Sequence, residues 1–547
     1  MVFDNNGEYW RGAFAHYNML GTDTPLEYTG ARDEYLACRR SAWLGGALNC
    51  SPVYDVWGTD AAAVLTYTFV NRDFSLMEPG QSKHGIICNE NGNMMADGVI
   101  MYRGDNLWRS YWLAPVLQYF VEKAEKEGKD IHGEYREDEY FFQIDGPKSL
   151  EILEEATQTD LHDIKFGKHR IVQICGTEMV VHRLGMSGCL AYEVHGHERD
   201  KEIAYAKLRE VVEKNDGRAL GFRQYIVLNH TPGGYPNQFQ HFLYDFRRND
   251  PDFVEFTQKN CFPQFGLGSA INDQEMYYAT PYDLGWGKMV NLKHDFMAKD
   301  ALMAAKEGPR RQAVTLEWND DDVAAVFQEN FKGKGSHNYA PIEAYHDAYN
   351  ASMPIPCSGY YVKDGDKVIG ITTGRCYAFY EKRMISLAFI QGEYAEEGKE
   401  YTVVFGQPGF ENVDIRVKVA QFPYYNEEYR NETFDTENIP HPDFEAMNNA
   451  RPEGRYEVVA KSIMGENPGA FEYAIDGDTL TGTAFAMGQS VPVENGKVDG
   501  SKFSHTMTMM TPMGEMTMPV SGEVYGDRIN GVMGEGMTAM PFIGYRK

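Results

Sequence analysis

The chain has 547 residues and a formal net charge of −28, set by 52 basic against 80 acidic side chains. That length calls for several domains and can bury a large core, while the charge works against nonspecific attraction to nucleic acid or to an anionic membrane. Eight cysteines run from Cys38 to Cys376 without a C-x-x-C pair, which argues against a disulfide framework or a zinc knuckle and for a reducing compartment.

The N-terminal residues lack the basic and apolar regions of a signal peptide, and the longest apolar run, residues 61–70, is too short and too polar to span a bilayer. The expectation is a cytoplasmic protein with no membrane and no nucleic-acid partner. Residues 33–44 read as a helix. Gly45-Gly-Ala-Leu-Asn49-Cys50-Ser-Pro and a short strand through Trp57 follow, and Thr59-Asp60 opens a helix to residue 68. Residues 85–89 and 94–102 flank Glu90-Asn-Gly-Asn93. Asn-Gly between two apolar runs predicts a hairpin, with Asp97 inside its second strand. Trp108, Arg109, Tyr111 and Trp112 come next. Residues 140–146 predict a strand stopped by Gly146-Pro147, and proline then starts a helix over 148–155.

The stretch from Gly185 to Tyr235 organises the rest. Gly185-Met-Ser-Gly188 feeds a strand over 190–194 that ends in the carboxylate Glu193; a helix over 200–213 carries Ile203, Ala206, Leu208, Val211 and Val212; and a loop then presents Arg223, Tyr225 and Tyr235. Gly185 and Gly188 allow close backbone approach, so a flat ligand can lie against them. His195-Gly-His197 invites a metal reading, but two histidines without nearby partners make a weak site, and turn histidines are the ordinary explanation. The predicted site holds no metal.

Further on, Tyr282-Asp-Leu-Gly-Trp286 leads to His294-Asp295-Phe296 and a helix from about residue 298. His294-Asp295 is read as a turn rather than a catalytic pair. Residues 312–318, 354–363, 367–377, 383–390, 400–405 and 413–420 predict antiparallel strands. Residues 431–453 are acidic with Pro440 and Pro442 and read as a linker. From 454 to 547, short alternating strands, the last over 537–544, are separated by Asp-Gly and Asn-Gly turns; this is a β-meander, curled or closed into a small barrel. Methionines crowd it from Met507 to Met540. A thioether site for copper(I) or an apolar ligand is weighed against core packing, which is the commoner arrangement.

Gly-x-Ser-Gly-x-x-x-Tyr-Glu193, the Gly221-x-Arg223-x-Tyr225 segment and Leu-Gly-Trp286…Asp-Phe296 resemble the glycine-cleavage aminomethyltransferase (T-protein) superfamily, over about residues 10 to 430. The tyrosine two residues beyond the arginine is similar to the tetrahydrofolate-dependent aromatic O-demethylases of the vanillate and syringate type. The resemblance implies an α+β, three-lobed, folate-binding fold. Residues 1–310 would form the folate-binding domain, 311–430 an antiparallel β-barrel lobe, and 454–547 an additional small all-β domain. It implies tetrahydrofolate as cofactor, gripped by Glu193, with Arg223, Tyr235 and Asp97 also contacting it. The superfamily carries two adjacent aspartates where this chain has Ala96-Asp97, a departure shared by the O-demethylase branch. Tyr225 is implied as the catalytic acid, since a phenol of pKa about 10 suits a phenolic leaving group. On the substrate side the match is partial: Asn49, Cys50, Arg109 and Trp112 stand at or near the relevant positions.

The function so implied is methyl transfer from a methoxylated aromatic small molecule to N5 of tetrahydrofolate, by a monomer or homo-oligomer. Two alternatives accompany it. One keeps the fold and takes the methyl from a sulfonium, quaternary ammonium or methylamine donor held by aromatic rings. The other is a non-catalytic folate-binding accessory protein, whose K-G-C-x-x-G-Q-E motif the chain lacks.

Overall fold

The computed structural model describes residues 7–19, 22–238, 240–343, 356–426, 428–462, 465–511, 514–536 and 539–547. The starts of the strands expected at 354 and 537 lie outside these. The chain divides into two compact units: Met1–Leu150, Asp163–Arg209 and Gly217–Asp435 make the first, and Glu151–His162, Glu210–Asp216 and Thr436–Lys547 the second.

Three larger sheets build the first unit, beside a two-stranded one of Ala15–Met19 and Thr22–Glu27. A five-stranded antiparallel sheet runs Ser82–Cys88, Met94–Gly104, Leu107–Tyr111, Val53–Trp57, His132–Arg136. Its first pair is the hairpin expected from Asn91-Gly92. Asn89 Oδ1 accepts from the backbone N–H of Asn91 and of Asn93, each at 3.0 Å, and Gly92 takes the φ of +84° that the turn requires. A six-stranded sheet runs His169–Ile174, Thr177–His182, Ala191–His197, Glu139–Asp145, Trp43–Gly45, Arg218–Leu220, with only the last pair parallel. In the third sheet, Cys357–Asp364, Lys367–Ala378, Arg383–Gln391, Arg311–Trp318, Val413–Ala420 and Glu400–Phe405 follow one another, and the first pairs with the last. The expected C-terminal barrel lobe therefore closes, around Leu316, Trp318, Tyr360, Val403 and Ile415.

The sequence left several elements unassigned, among them the helices Val116–Lys126, Pro251–Asn260 and Asp320–Gln328. Asp250 caps the second, with Pro251 in its first turn, and Asn319 caps the third. In the helix Lys201–Lys214, Ile203 is 51% exposed, and the inward stripe is Ala204, Tyr205, Leu208, Val211 and Val212. The segment expected to be a loop after Arg223 is instead a π-helical turn, Gln224–Asn229, followed by a helical turn His230–Gly233. Gly234 ends it at φ +72°, and the N–H groups of Gly234 and Tyr235 return to the carbonyls of Thr231 and His230. A π turn packs one extra residue into the coil and is most often found where a side chain has to be aimed.

Residues 428–435, in part expected as linker, belong to the first unit. Arg430 donates to the carbonyls of Gly233 and Tyr425, and Arg183 donates to Asn431 and to the carbonyl of Phe434. Beyond them the chain still carries the short helix Phe444–Asn448.

The second unit is a closed barrel. Nine strands from Gly454–Ser462 to Met540–Arg546 pair antiparallel, and Gly465–Asp476 also pairs with Thr479–Ala486 to shut the ring. Met507, Met509, Met518 and Met533 are buried in it beside Phe471, Phe503 and Phe542, which is the packing role. The two short early segments are tied in by charge. Arg528 holds Glu155 through both guanidinium ends, at 2.7 and 2.8 Å, and reaches Asn215 at 2.7 Å; Lys461 pairs with Asp216.

Candidate active site

A cavity of about 1030 Å³ opens within the first unit. Glu193, Tyr225, Tyr235, Asp97, Trp112 and Cys50 all line it, so six of the nine residues singled out from the sequence are brought to one space. The other three lie elsewhere.

Glu193 owes its setting to strand register. It stands opposite Gln143 on one side and His182 on the other, and cross-strand neighbours in a sheet are within side-chain reach. Gln143 Nε2 donates to one carboxylate oxygen at 3.0 Å, and His182 Nδ1 lies 3.1 Å from the other. His182 Nε2 in turn meets Ser82 Oγ at 2.5 Å. The carboxylate is fully buried but borders the cavity, and each oxygen keeps acceptor capacity for a ligand. Gly185 lies beside this strand: a Cβ there would come within 2.2 Å of Ala191 Cβ and 3.0 Å of Asp145 Oδ2.

His195 sits inside the strand Ala191–His197 rather than in a turn, and is fully buried. Its ring packs against Tyr111 and Phe141, with Nδ1 3.8 Å from Glu139 and Nε2 3.9 Å from Glu193. Burial above all, then His182, drives its pKa well down, so the imidazole is neutral. His182, Glu193 and His195 offer ligand atoms within 4.8 Å of one another, as do Asp160, His162 and His441 in the second unit. Among the described residues these are the groupings able to hold a metal ion.

Tyr225, on the first turn of the π segment, is buried edge-on to Trp43 and His230. Burial, and after it the nearby carboxyls of Glu193 and Asp145, push its phenol well above the usual value. The group is therefore a proton holder. Burial also lifts the Asp145 carboxyl far above the carboxylate range and the Cys50 thiol up to about 12, and that thiol donates to the carbonyl of Ala47. Cys50 is thus no thiolate nucleophile at neutral pH. Tyr235 is fixed by Glu432, which Arg430 holds at 3.0 Å. Trp112 has a φ of +67°, a region that a bulky residue occupies only when its surroundings enforce it.

Asp97 is gripped from two sides: His84 Nε2 is 2.8 Å from one oxygen and Tyr244 donates to the other at 2.7 Å. His84, Tyr244 and Trp286 also line the cavity, with His84 edge-on to Trp286 at 4.6 Å. Their meeting with Asp97 was not legible beforehand, because Tyr244 and Trp286 come from stretches distant from the hairpin that carries His84 and Asp97. The basic residues Arg72, Lys83 and Lys288 border the cavity.

Arg109, Asn49 and Arg223 are not among the lining residues. Arg109 faces away and is saturated: it chelates Asp55 at 2.7 and 2.8 Å and pairs with Glu139, which also takes the Tyr111 hydroxyl. Asn49 ties its own turn, donating to Gly46 O and accepting from the N–H of Phe141. Arg223 pairs with Glu27 at 2.7 Å.

A buried carboxylate facing a cavity requires donors, and the amino-pyrimidinone edge of a reduced pterin presents a planar pair of them; the residues present fit that group. These features define a folate-dependent one-carbon transferase. Residues 11–229 match the model of the GCVT N-terminal domain. The chain is 39% identical to a sesamin methylene transferase of Sinomonas sp. (strain No.22), over 79% of its own length and 96% of the relative's. It is 28% identical to a syringate O-demethylase of Sphingobium sp. (strain NBRC 103272 / SYK-6), covering 73% of this chain and 89% of that one. The solved aminomethyltransferase T of the Bartonella henselae glycine cleavage system shares its fold, with a TM-score of 0.56 at 16% identity over 77% of this chain and 96% of that one. The protein belongs to the GCVT aminomethyltransferase family, and within it is a tetrahydrofolate-dependent one-carbon transferase. No described helix is long and apolar enough to cross a membrane.

Proposed function

We propose that this enzyme demethylates a methoxylated aromatic compound, with Tyr225 as the acid that protonates the departing aryl oxygen and Glu193 as the residue that grips the pterin. The observation that carries the reading is the presence, in one cavity, of a buried carboxylate and a buried phenol held neutral. Bound tetrahydrofolate supplies the nucleophilic nitrogen that takes the methyl group and gives up a proton.

The chain's own residues do the rest. Glu193, kept in place by Gln143 and His182, accepts from the donors of the pterin edge. Arg72, Lys83 and Lys288 supply positive charge toward the anionic tail. Trp112, Phe222 and Phe141 give flat apolar walls for an aromatic donor and keep water out. Tyr225 Oη delivers its proton to the aryl oxygen as the carbon leaves, because a phenolate departs poorly until it is hydrogen-bonded or protonated. Such help is worth about 10² to 10⁴ in rate. Asn49, Arg109 and Arg223 hold the scaffold, so the donor's recognition does not depend on the Arg109 guanidinium.

A second reading is favoured by the similarity to a sesamin methylene transferase: the one-carbon unit bridges two aryl oxygens and passes as methylene, and two protons rather than one move from nitrogen to oxygen. Incubation with tetrahydrofolate and a panel of methoxy- and methylenedioxy-aromatics, with chromatographic separation of 5-methyl- from 5,10-methylenetetrahydrofolate, distinguishes the two. Absence of either product with every donor would sink both.

A further inference from the structure

We infer that His84 is the proton acceptor of this site, with Asp97 and Tyr244 as the residues that set its tautomer. The inference deepens the proposed reaction and rests on it in one respect: a nitrogen that forms a bond to carbon must lose its proton to something.

His84 comes from the strand Ser82–Cys88 and Asp97 from its hairpin partner, Met94–Gly104. Ile86 stands opposite Asp97 and His84 opposite Val99, so the imidazole and the carboxylate are diagonal neighbours on one face of the hairpin. His84 Nε2 lies 2.8 Å from Asp97 Oδ2. Tyr244 holds the other oxygen at 2.7 Å and accepts the backbone N–H of Asp97 at 2.9 Å. Burial first, and then the charge of Asp97, raise the Tyr244 phenol well above its usual range, so it acts on Asp97 as a neutral donor.

A carboxylate that already receives a phenol O–H can only accept from His84. The proton of neutral imidazole must then sit on Nε2, which leaves Nδ1 with its lone pair. Asp97 thereby does for His84 what the aspartate of a hydrolase triad does for its histidine: it fixes orientation and tautomer and stabilises the imidazolium once formed. The edge of His84 against Trp286 fixes the ring plane as well. The residue lines the same cavity as Glu193 and Tyr225.

The proton count closes. As the C–O bond breaks with its electron pair on oxygen and the N–C bond forms from the nitrogen lone pair, His84 Nδ1 takes the nitrogen's proton and Tyr225 Oη gives one to the aryl oxygen. Imidazolium and phenolate then return to their starting states by losing a proton to water and gaining one from it.

The test has two arms on the full-length protein. In the first, His84→Gln, which can still donate to Asp97 but is no base, should lower kcat about 100-fold with calorimetric tetrahydrofolate binding unchanged. His84→Gly should regain part of its rate on addition of imidazole. Full turnover by His84→Gln, or a His84→Gly protein that folds and ignores imidazole, would overturn the proposal. In the second arm, nitrogen NMR of histidine-labelled protein should show an unprotonated Nδ1 at the signal that His84→Gln removes, and Asp97→Asn should move the proton to Nδ1. A proton found on Nδ1 in the wild type would also overturn it. This arm needs no methyl donor, so it is read separately from the failure of the aryl-ether reaction.

Discussion

Glu193 in the first unit and Arg528 in the second are both buried ionisable side chains on β-strands, yet they are settled differently. Arg528 faces a carboxylate and an amide that use its guanidinium from both ends, which sews the segments 151–162 and 210–216 into the barrel. Glu193 faces an amide and an imidazole, each on one carboxylate oxygen, and opens onto space. The barrel fills its interior with Met507, Met509, Met518 and Phe503. A buried charge paired with an opposite one is architecture, whereas one with acceptor capacity left toward a cavity is prepared for a ligand. Arg109, chelated by Asp55, is of the Arg528 kind although it lies near the site in sequence.

Four substitutions and titrations break or sharpen this contrast. Tyr225→Phe should reduce the rate of methylfolate formation by about 10² to 10⁴ while calorimetric tetrahydrofolate affinity stays as it was; a wild-type rate removes Tyr225 from the chemistry. Arg528→Met should cost the second unit about 3–5 kcal/mol, since Glu155, 11% exposed, loses its cation and keeps the Asn215 amide as a neutral donor, and urea unfolding followed in that unit would show it. Glu193→Gln, by contrast, should leave unfolding nearly unaltered and weaken tetrahydrofolate binding by about 1.5–3 kcal/mol, the worth of a hydrogen bond to a charged group. Equal loss of stability in the two variants would erase the distinction drawn above.

The smallest effect concerns pH. Burial lowers His230 from 6.5 to about 4 and His241 from 6.5 to about 3. Both pKa values are depressed by folding, so the unfolded chain binds these protons more readily. The first unit is then most stable above about 6.5, and loses stability as pH falls from there toward 3. The slope of unfolding free energy against pH should shrink in His241→Gln and further in the double variant His230→Gln/His241→Gln; an unchanged slope in the double variant would mean that the two imidazoles do not carry it.

Much of the frame was written in local pattern. Asn91-Gly92 announced a hairpin, Gly146-Pro147 a strand stop, and the strands of the barrel lobe fell close to their expected bounds, because turn chemistry and alternation act over a few residues. Glu193, Tyr225, Tyr235 and Asp97, whose motifs are contiguous, were singled out from the sequence and line the cavity. The expected loop at Tyr225 is a π turn running into a helical turn that ends at Gly233, where the backbone packs on Met186 and Gly188, a contact that the local sequence does not contain.

By itself, then, the sequence determined the class of the chain, much of the order of its strands and turns, and four contiguous positions that line the cavity, since each depends on spacing along the backbone. The tertiary structure alone decided which polar groups are saturated and which are open. It closed Arg109 and Asn49 into the scaffold, set His182 and Gln143 beside Glu193 through strand register, and brought His84, Asp97 and Tyr244 together. Hydrogen-bond capacity is used up between segments distant in the chain, and no one-dimensional pattern records which partner will arrive.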